Sequence, residues 1–300
     1  MIDDSGIEWS VVYEDRARAP CSDRALVLDS VGIPHQVISN GMDYHALAVP
    51  SALAEKAKFE LWEYSQENQP AEQPVEKIKP DYERAIPGVF AYIFIVVVFG
   101  WMQSRSSFGL DWLGAGRVDG ALIRDGEWWR SITALTLHGG LKHILGNLIF
   151  GLLFGLVAGG LVGSGLAWLT IVVAAALGNI TNVLLLDEMH RSIGASTAVF
   201  ASLGLISGFV WRARLMAQDR WAWRLGPIVG GLALLAYTGT GGENTDVGAH
   251  LTGFAWGFVG GLVLTRISSL HGARLLQLAA GAAAIGLVGV AWLIAQLTWI

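Results

Sequence analysis

The 300-residue chain is poor in charge and nearly devoid of cysteine. Asp, Glu, Lys and Arg make up 15% of it against 53% hydrophobic residues, with a mean hydropathy of +0.48. Ordinary globular domains carry about 25% charged residues, so a wholly soluble chain is excluded. The sole cysteine, Cys21, cannot form an intrachain disulfide, and nothing here requires an oxidising compartment. There is no phosphate-binding glycine loop and no Cys/His zinc spacing, so neither cofactor nor metal is expected. Met1–Ser10 is acidic and lacks an apolar run, and no signal peptide is expected there. The charge that exists is uneven: residues 1–85 hold 16 acidic and 8 basic residues, and the other 215 hold 9 and 12. The acidic front argues against nucleic acid as a partner. A polar front piece thus precedes a membrane piece.

Residues 1–65 read as a small α+β domain in the order β-α-β-β-α. Glu8–Tyr13 is a strand candidate. Ser22–Val31 is weakly helical, because its apolar run Ala25–Leu28 fits helix or strand equally. Gln36–Ser39 and Tyr44–Val49 flank Asn40-Gly41, a hairpin turn signal. Pro50-Ser51 opens a helical run, Ala52–Tyr64. Residues 66–85 are a linker, with three prolines among Glu, Gln and Lys between Gln66 and Pro80.

Seven apolar spans follow: Ile86–Met102, Ile144–Val162, Leu166–Leu186, Ala195–Trp211, Leu225–Thr238, Val247–Ile267 and Leu275–Leu297. Each approaches the length needed to cross about 30 Å of hydrocarbon, the short, glycine-rich fifth least well. The long first connection, Gln103–His143, carries Trp112, Trp128 and Trp129, which suit a bilayer interface. Basic residues set the expected orientation. Arg212, Arg214, Arg220 and Arg224, then Arg266 and Arg274, then Lys77, Lys79 and Arg84 fall on one side, nine against six on the other. This places the N-terminal domain in the cytoplasm of a multi-pass inner-membrane protein.

Polar side chains inside such spans are costly and mark function. His143 and Asn147, four apart, share a helix face and offer two donors to a developing oxyanion, or serve as glue between helices. His250 opens the sixth span one turn before Gly253, and Gly253 and Gly257 make a small-xxx-small face for close helix approach. If the partner is the helix opened by Gly194-Ala195-Ser196, the imidazole reaches the hydroxyl and can act as its base. Thr238–Val247, rich in glycine, is a lid or simply a turn. His35, His45, His190 and His271 show no partner pattern, and Asp187-Glu188 beside His190 reads as a charged loop rather than a metal site.

Taken together, Trp129-Arg130, His138…His143…Asn147, Gly194-Ala195-Ser196 and Ala249-His250 followed by Gly253 and Gly257 resemble the rhomboid intramembrane serine proteases. The resemblance spans roughly residues 86–267. It implies an all-α six-helix membrane core, with residues 268–300 as an appended seventh helix. It further implies Ser196 as nucleophile, His250 as base, and His143, Asn147 and the Ser196 amide around the oxyanion. Trp129-Arg130 would be structural, in a first loop that dips into the membrane. The substrate class it implies is a membrane protein cut near the outer end of its transmembrane helix, with the active site toward the extracytoplasmic face. Two residues depart from the family pattern. Phe200 replaces a Tyr and keeps a ring to stack on the histidine. Thr197 replaces a Gly, and its bulk beside the nucleophile is expected to narrow substrate choice. Two rival readings are a catalytically inactive relative that binds client helices and a small transporter with His143, Asn147 and His250 on a proton path; no internal repeat favours the latter.

Overall fold

The strand His45–Pro50 (β3) is buried along almost its whole length, as a central strand must be, and it organises the N-terminal unit. In a computed structural model of the chain, the described residues are 7–40, 44–68, 80–186, 188–213, 226, 228–233 and 246–299. They fall into two compact units, Met1–Val75 and Glu76–Ile300, each taken by itself below. In the first, β3 pairs antiparallel with Trp9–Asp15 (β1) and with Gln36–Ser39 (β2), giving the order β1-β3-β2. The helices Arg18–Ser30 (α1) and Ala54–Glu67 (α2) lay Leu28, Ala57 and Leu61 against Leu47 and Val49 of the sheet. The ambiguous run Ala25–Leu28 is therefore helical, with Ala25 and Leu28 three apart on the buried face. Gly41 of the hairpin signal lies outside the described residues, as do Lys77, Lys79, Asp187, Arg214, Arg220, Arg224, residues 69–79 of the linker and residues 238–245 of the candidate lid.

The second unit is a helical bundle. Five helices are long and apolar enough to cross a bilayer: Tyr82–Ser104 (α3), Leu141–Val162 (α7), Ser164–Leu185 (α8), Val247–Leu264 (α10, continued as a tighter turn to Leu270) and Arg274–Trp299 (α11). A sixth, Ser196–Arg212 (α9), is shorter at 17 residues. Of the expected fifth span only residues 226 and 228–233 are described, and 228–233 are helical. Phe90 and Phe94 of α3 are 68% exposed, as apolar side chains facing lipid should be. A single residue, Gly163, turns α7 into α8 at φ 85°, so these two helices are antiparallel neighbours.

Glycine sets how α9 and α10 meet. A Cβ on Gly253 would strike the Thr197 carbonyl at 2.7 Å, one on Gly257 the Ala201 carbonyl, and one on Gly261 the Leu205 carbonyl. Both numbers rise together, so the helices run parallel, backbone against backbone. Gly204 and Gly208 of α9 return the favour, seated on the Phe254 and Phe258 carbonyls. Two parallel neighbours require the chain between them to return to its starting side. The described Gly231 packs there against Ser207 and Phe254.

The connection from α3 to α7 is folded, not loose. It carries the short helices Trp112–Gly116 (α4), Gly120–Arg124 (α5) and Arg130–Thr133 (α6), and a strand Val118–Asp119 (β4) paired with Arg191–Ser192 (β5). Of its three tryptophans, Trp128 is 44% exposed, whereas Trp112 is 3% exposed. Trp112 is thus not an interface anchor but lies beneath α11, its ring 4.7 Å from that of Trp292, which in turn stacks on Phe99 at 5.6 Å. Trp292 Nε1 also donates to Thr136 Oγ1 at 3.0 Å. Removing that ring should cost about 3 kcal/mol, the usual loss for truncating a buried Trp. A Trp292→Ala protein should melt well below its parent in the same detergent; equal melting would mean that α11 does not brace this connection.

Candidate active site

Ser196 is the first residue of α9 and is half-buried. Just before it, Gly194 has φ 133°, a backbone that an L side chain rarely adopts. A side chain there would also meet the His143 ring, with Cε1 and Nε2 at 2.6 Å, and would lie 3.5 Å from Ser196 Oγ. The His143 imidazole and the Ser196 hydroxyl therefore flank one point in space, open because residue 194 is glycine. The Gly194 N–H donates to the Ala134 carbonyl at 2.9 Å and pins this turn to the folded connection.

The tautomer of His143 follows from its hydrogen bond with Gly139. Gly139 N–H donates to Nδ1 at 3.3 Å, and a backbone amide can only donate. The neutral ring then carries its proton on Nε2, the atom beside Gly194. One turn on, Asn147 is 6% exposed and its Nδ2 is buried with no partner among the described residues. Its backbone carbonyl is held by Tyr92 Oη at 2.8 Å. A buried unpaired amide donor is costly, and sites of function are where such costs are tolerated.

His250 is 5% exposed near the head of α10, its ring centroid 4.4 Å from that of Phe200 at 35°. Phe200 lies four residues after Ser196, on the same face of α9. The imidazole thus sits over the face that carries the serine. Gly253 and Gly257 do pack on the serine's helix, as their spacing suggested.

The supporting residues have separate tasks. Arg130 is 2% exposed; its Nε pairs with Glu127 and its guanidinium donates to the Gly114 carbonyl at 2.8 Å, tying the connection together from inside. Trp129 precedes it in the same apolar cluster as Trp112 and Trp292. His138 is 3% exposed, its ring 5.2 Å from that of His143, its main chain clamped by Gln103 at 2.8 and 3.0 Å. Burial above all, with His143 beside it, pushes His138 from 6.5 down to about 4. The unfolded chain takes up a proton below 6.5 where the fold does not, so this histidine's stabilising contribution is complete above 6.5 and is lost as pH falls toward 4. Melting measured across that interval should fall more steeply for the parent than for His138→Gln; parallel slopes would show that another group governs the acid response.

Thr197 does not narrow the cleft. Consecutive helical residues point about 100° apart, and Thr197 turns into the bundle, 4% exposed, with its methyl group against Gly253. Its Oγ1 donates to Asn179 Oδ1 at 3.0 Å, and Asn179 Nδ2 donates to the Ser131 carbonyl at 2.8 Å. The threonine ties the serine's helix to α8 and, through it, to α6.

Sequence reasoning missed one cluster altogether. Asp246 caps α10 by accepting from Ala249 N–H at 3.0 Å, and its carboxylate also receives Asn182 Nδ2 at 3.0 Å. His190 Nε2 lies 2.8 Å from the same carboxylate. Four residues before His250, this knot fixes the head of α10 to the end of α8. The cap was readable, since Asp is favoured just before a helix. The histidine 56 residues away was not. Among the described residues no three His, Cys, Asp or Glu side chains gather as a metal site.

A hydroxyl at a helix N-terminus faces the His143 ring across Gly194, with the His250 ring seated on Phe200 one turn along the same helix; these are groups that nucleophilic attack with anion stabilisation would use. Comparisons with known proteins bear on the family. The rhomboid domain model matches residues 125–267. The putative rhomboid protease YdcA of Bacillus subtilis (strain 168) is 31% identical over 140 residues, which is 46% of this chain and 67% of that protein. The chain belongs to the rhomboid family. Rhomboid protease GluP of the same bacterium is 31% identical over 122 residues, 39% of this chain but 24% of GluP. Rhomboid-like protease 2 of Toxoplasma gondii is 31% identical over 152 residues, half of each chain. The stretch matched in this rhomboid covers α6 to α10 and with them every candidate site residue from Trp129 to Gly257, whereas Tyr92, Phe99, Gln103, Trp112 and Trp292, which pack around them, lie outside it. It is a multi-pass membrane protein of a family whose matched relatives are named as proteases.

Proposed function

We propose that this rhomboid is an intramembrane serine endopeptidase that cuts the transmembrane helices of other membrane proteins. The observation that carries the reading is the seating of the His250 ring on Phe200, over the face of α9 that begins with Ser196. In the proposed cycle His250 takes the Ser196 proton as Oγ attacks the scissile carbonyl. The oxyanion that forms is met by the His143 Nε2–H, the Asn147 Nδ2–H and the Ser196 amide, one of the helix-terminal N–H groups without an intrahelical partner. His250 then passes the proton to the leaving amine, and water hydrolyses the acyl-enzyme with His250 again as base. An extended scissile segment is required for attack, which favours substrates with helix-weakening residues near the cut.

The starts of α7, α9 and α10 share the side on which α3 ends, so the candidate site opens opposite to the end where α3 begins. With basic residues marking the cytoplasm, we place the site toward the extracytoplasmic face and the N-terminal unit inside. A fluorophosphonate probe tests the central claim, because only an activated serine reacts with it. The parent should label and Ser196→Ala should not, while Asn147→Ala should cleave a model transmembrane substrate about 100-fold more slowly. An unlabelled, inert parent would support a client-binding protein that does not cut.

A further inference from the structure

Between α3, α8 and α11 lies an open-mouthed cavity of about 770 Å³. That volume is in the range of ligand pockets. Its walls are apolar, among them Val96, Ile171, Ala284 and Val288, and it runs inward as far as Ala195. Its mouth is different. Arg84, His271, Arg274 and Gln277 line that end, and no carboxylate lines the cavity. Arg84 also pairs with Asp81 at 2.8 Å, both side chains about half exposed. Arg274 is exposed and has no acidic partner among the described residues. The first turns of α3, α8 and α11 converge here, each with its positive end at the mouth. One turn inside, Trp168 lines the wall with its ring, its Nε1 turned against Gly88 and away from the open space.

An apolar shaft with a cationic mouth at the membrane surface matches one class of molecule: an amphiphile with hydrocarbon chains and an anionic head. We propose that this cavity is a binding site for an anionic glycerophospholipid of the surrounding bilayer. The acyl chains fill the shaft between α3 and α11. The phosphate meets Arg274 and Arg84. Basic pockets between membrane helices recognise phospholipid head groups by this chemistry. Free phosphate would meet the arginines without using the shaft.

Native mass spectrometry of the full chain in detergent, supplemented with equal phosphatidylglycerol and phosphatidylcholine, reads the site without relying on proteolysis. The parent should retain one phosphatidylglycerol in preference to phosphatidylcholine. Arg84→Gln/Arg274→Gln should lower that retention on the order of tenfold, consistent with two surface arginines acting on an anionic head. Ala284→Trp, which fills the shaft, should displace the lipid whatever its head group. Both arginines are partly exposed, so the double variant remains informative even if Ala284→Trp folds poorly. Equal retention of the two lipids, or unchanged phosphatidylglycerol in the double variant, overturns the proposal, as does inorganic phosphate competing the lipid away from the parent.

Discussion

Ser196→Ala is expected to lower kcat for a model transmembrane substrate by about 10⁴-fold or more, and His250→Ala by a similar factor. The double variant should be scarcely worse than either single one, because nucleophile and base act as a unit and their losses do not add. That non-additivity is the sharper measurement. Two residues contributing independently, one by catalysis and the other by holding the fold, would multiply their effects. Ser196 is half-buried and small, so its alanine variant should also melt with the parent. A loss of cleavage that tracked a loss of folding would speak against the proposed chemistry. Cleavage at the parental rate by Ser196→Ala would end it.

The second large effect concerns a residue with no chemistry. Gly257→Ala adds one methyl group where the Ala201 carbonyl of the neighbouring helix already stands. In lipid, helices associate through close packing and have little hydrophobic force in reserve. The expected cost is about 3 kcal/mol, the upper end for overpacking, with cleavage lost alongside because Phe200 and His250 face each other across the same contact. Gly289→Ala makes the same chemical change on α11, where nothing lies within 4 Å of the added carbon. It should melt within about 0.5 kcal/mol of the parent. Matching melting curves for the two variants would mean that α9 and α10 are not seated on each other's backbone.

These two tests also mark what could be read from the chain alone. Gly253 and Gly257 were legible as a packing face because glycines recur at helical spacing where bulk would be normal, and Ser196 and His250 stood out as candidates because they put polar atoms in apolar spans. The starts and ends of six spans followed from hydropathy to within a few residues, and those of the fifth lie outside the described residues. What was not legible depends on direction or on distance along the chain. Thr197 was read as crowding the nucleophile, yet one residue's rotation sends it to Asn179 instead. Trp112 was read as an interface anchor, since sequence gives no sign that Trp292, 180 positions later, will cover it. His190 carried no pattern of its own, and only the meeting of its loop with Asp246 gives it a role.

The glycine contact between α9 and α10 also bears on motion. Helices whose carbonyls lie where side chains would otherwise be cannot slide past each other without collision, and the Asp246 knot and the Thr197–Asn179 link fasten the same pair to α8. The serine and histidine are therefore mounted on a stiff frame. Under the proposed function, whatever has to yield for a client helix to arrive lies outside this contact, and the speed of turnover would be governed there, not by the fit between hydroxyl and imidazole.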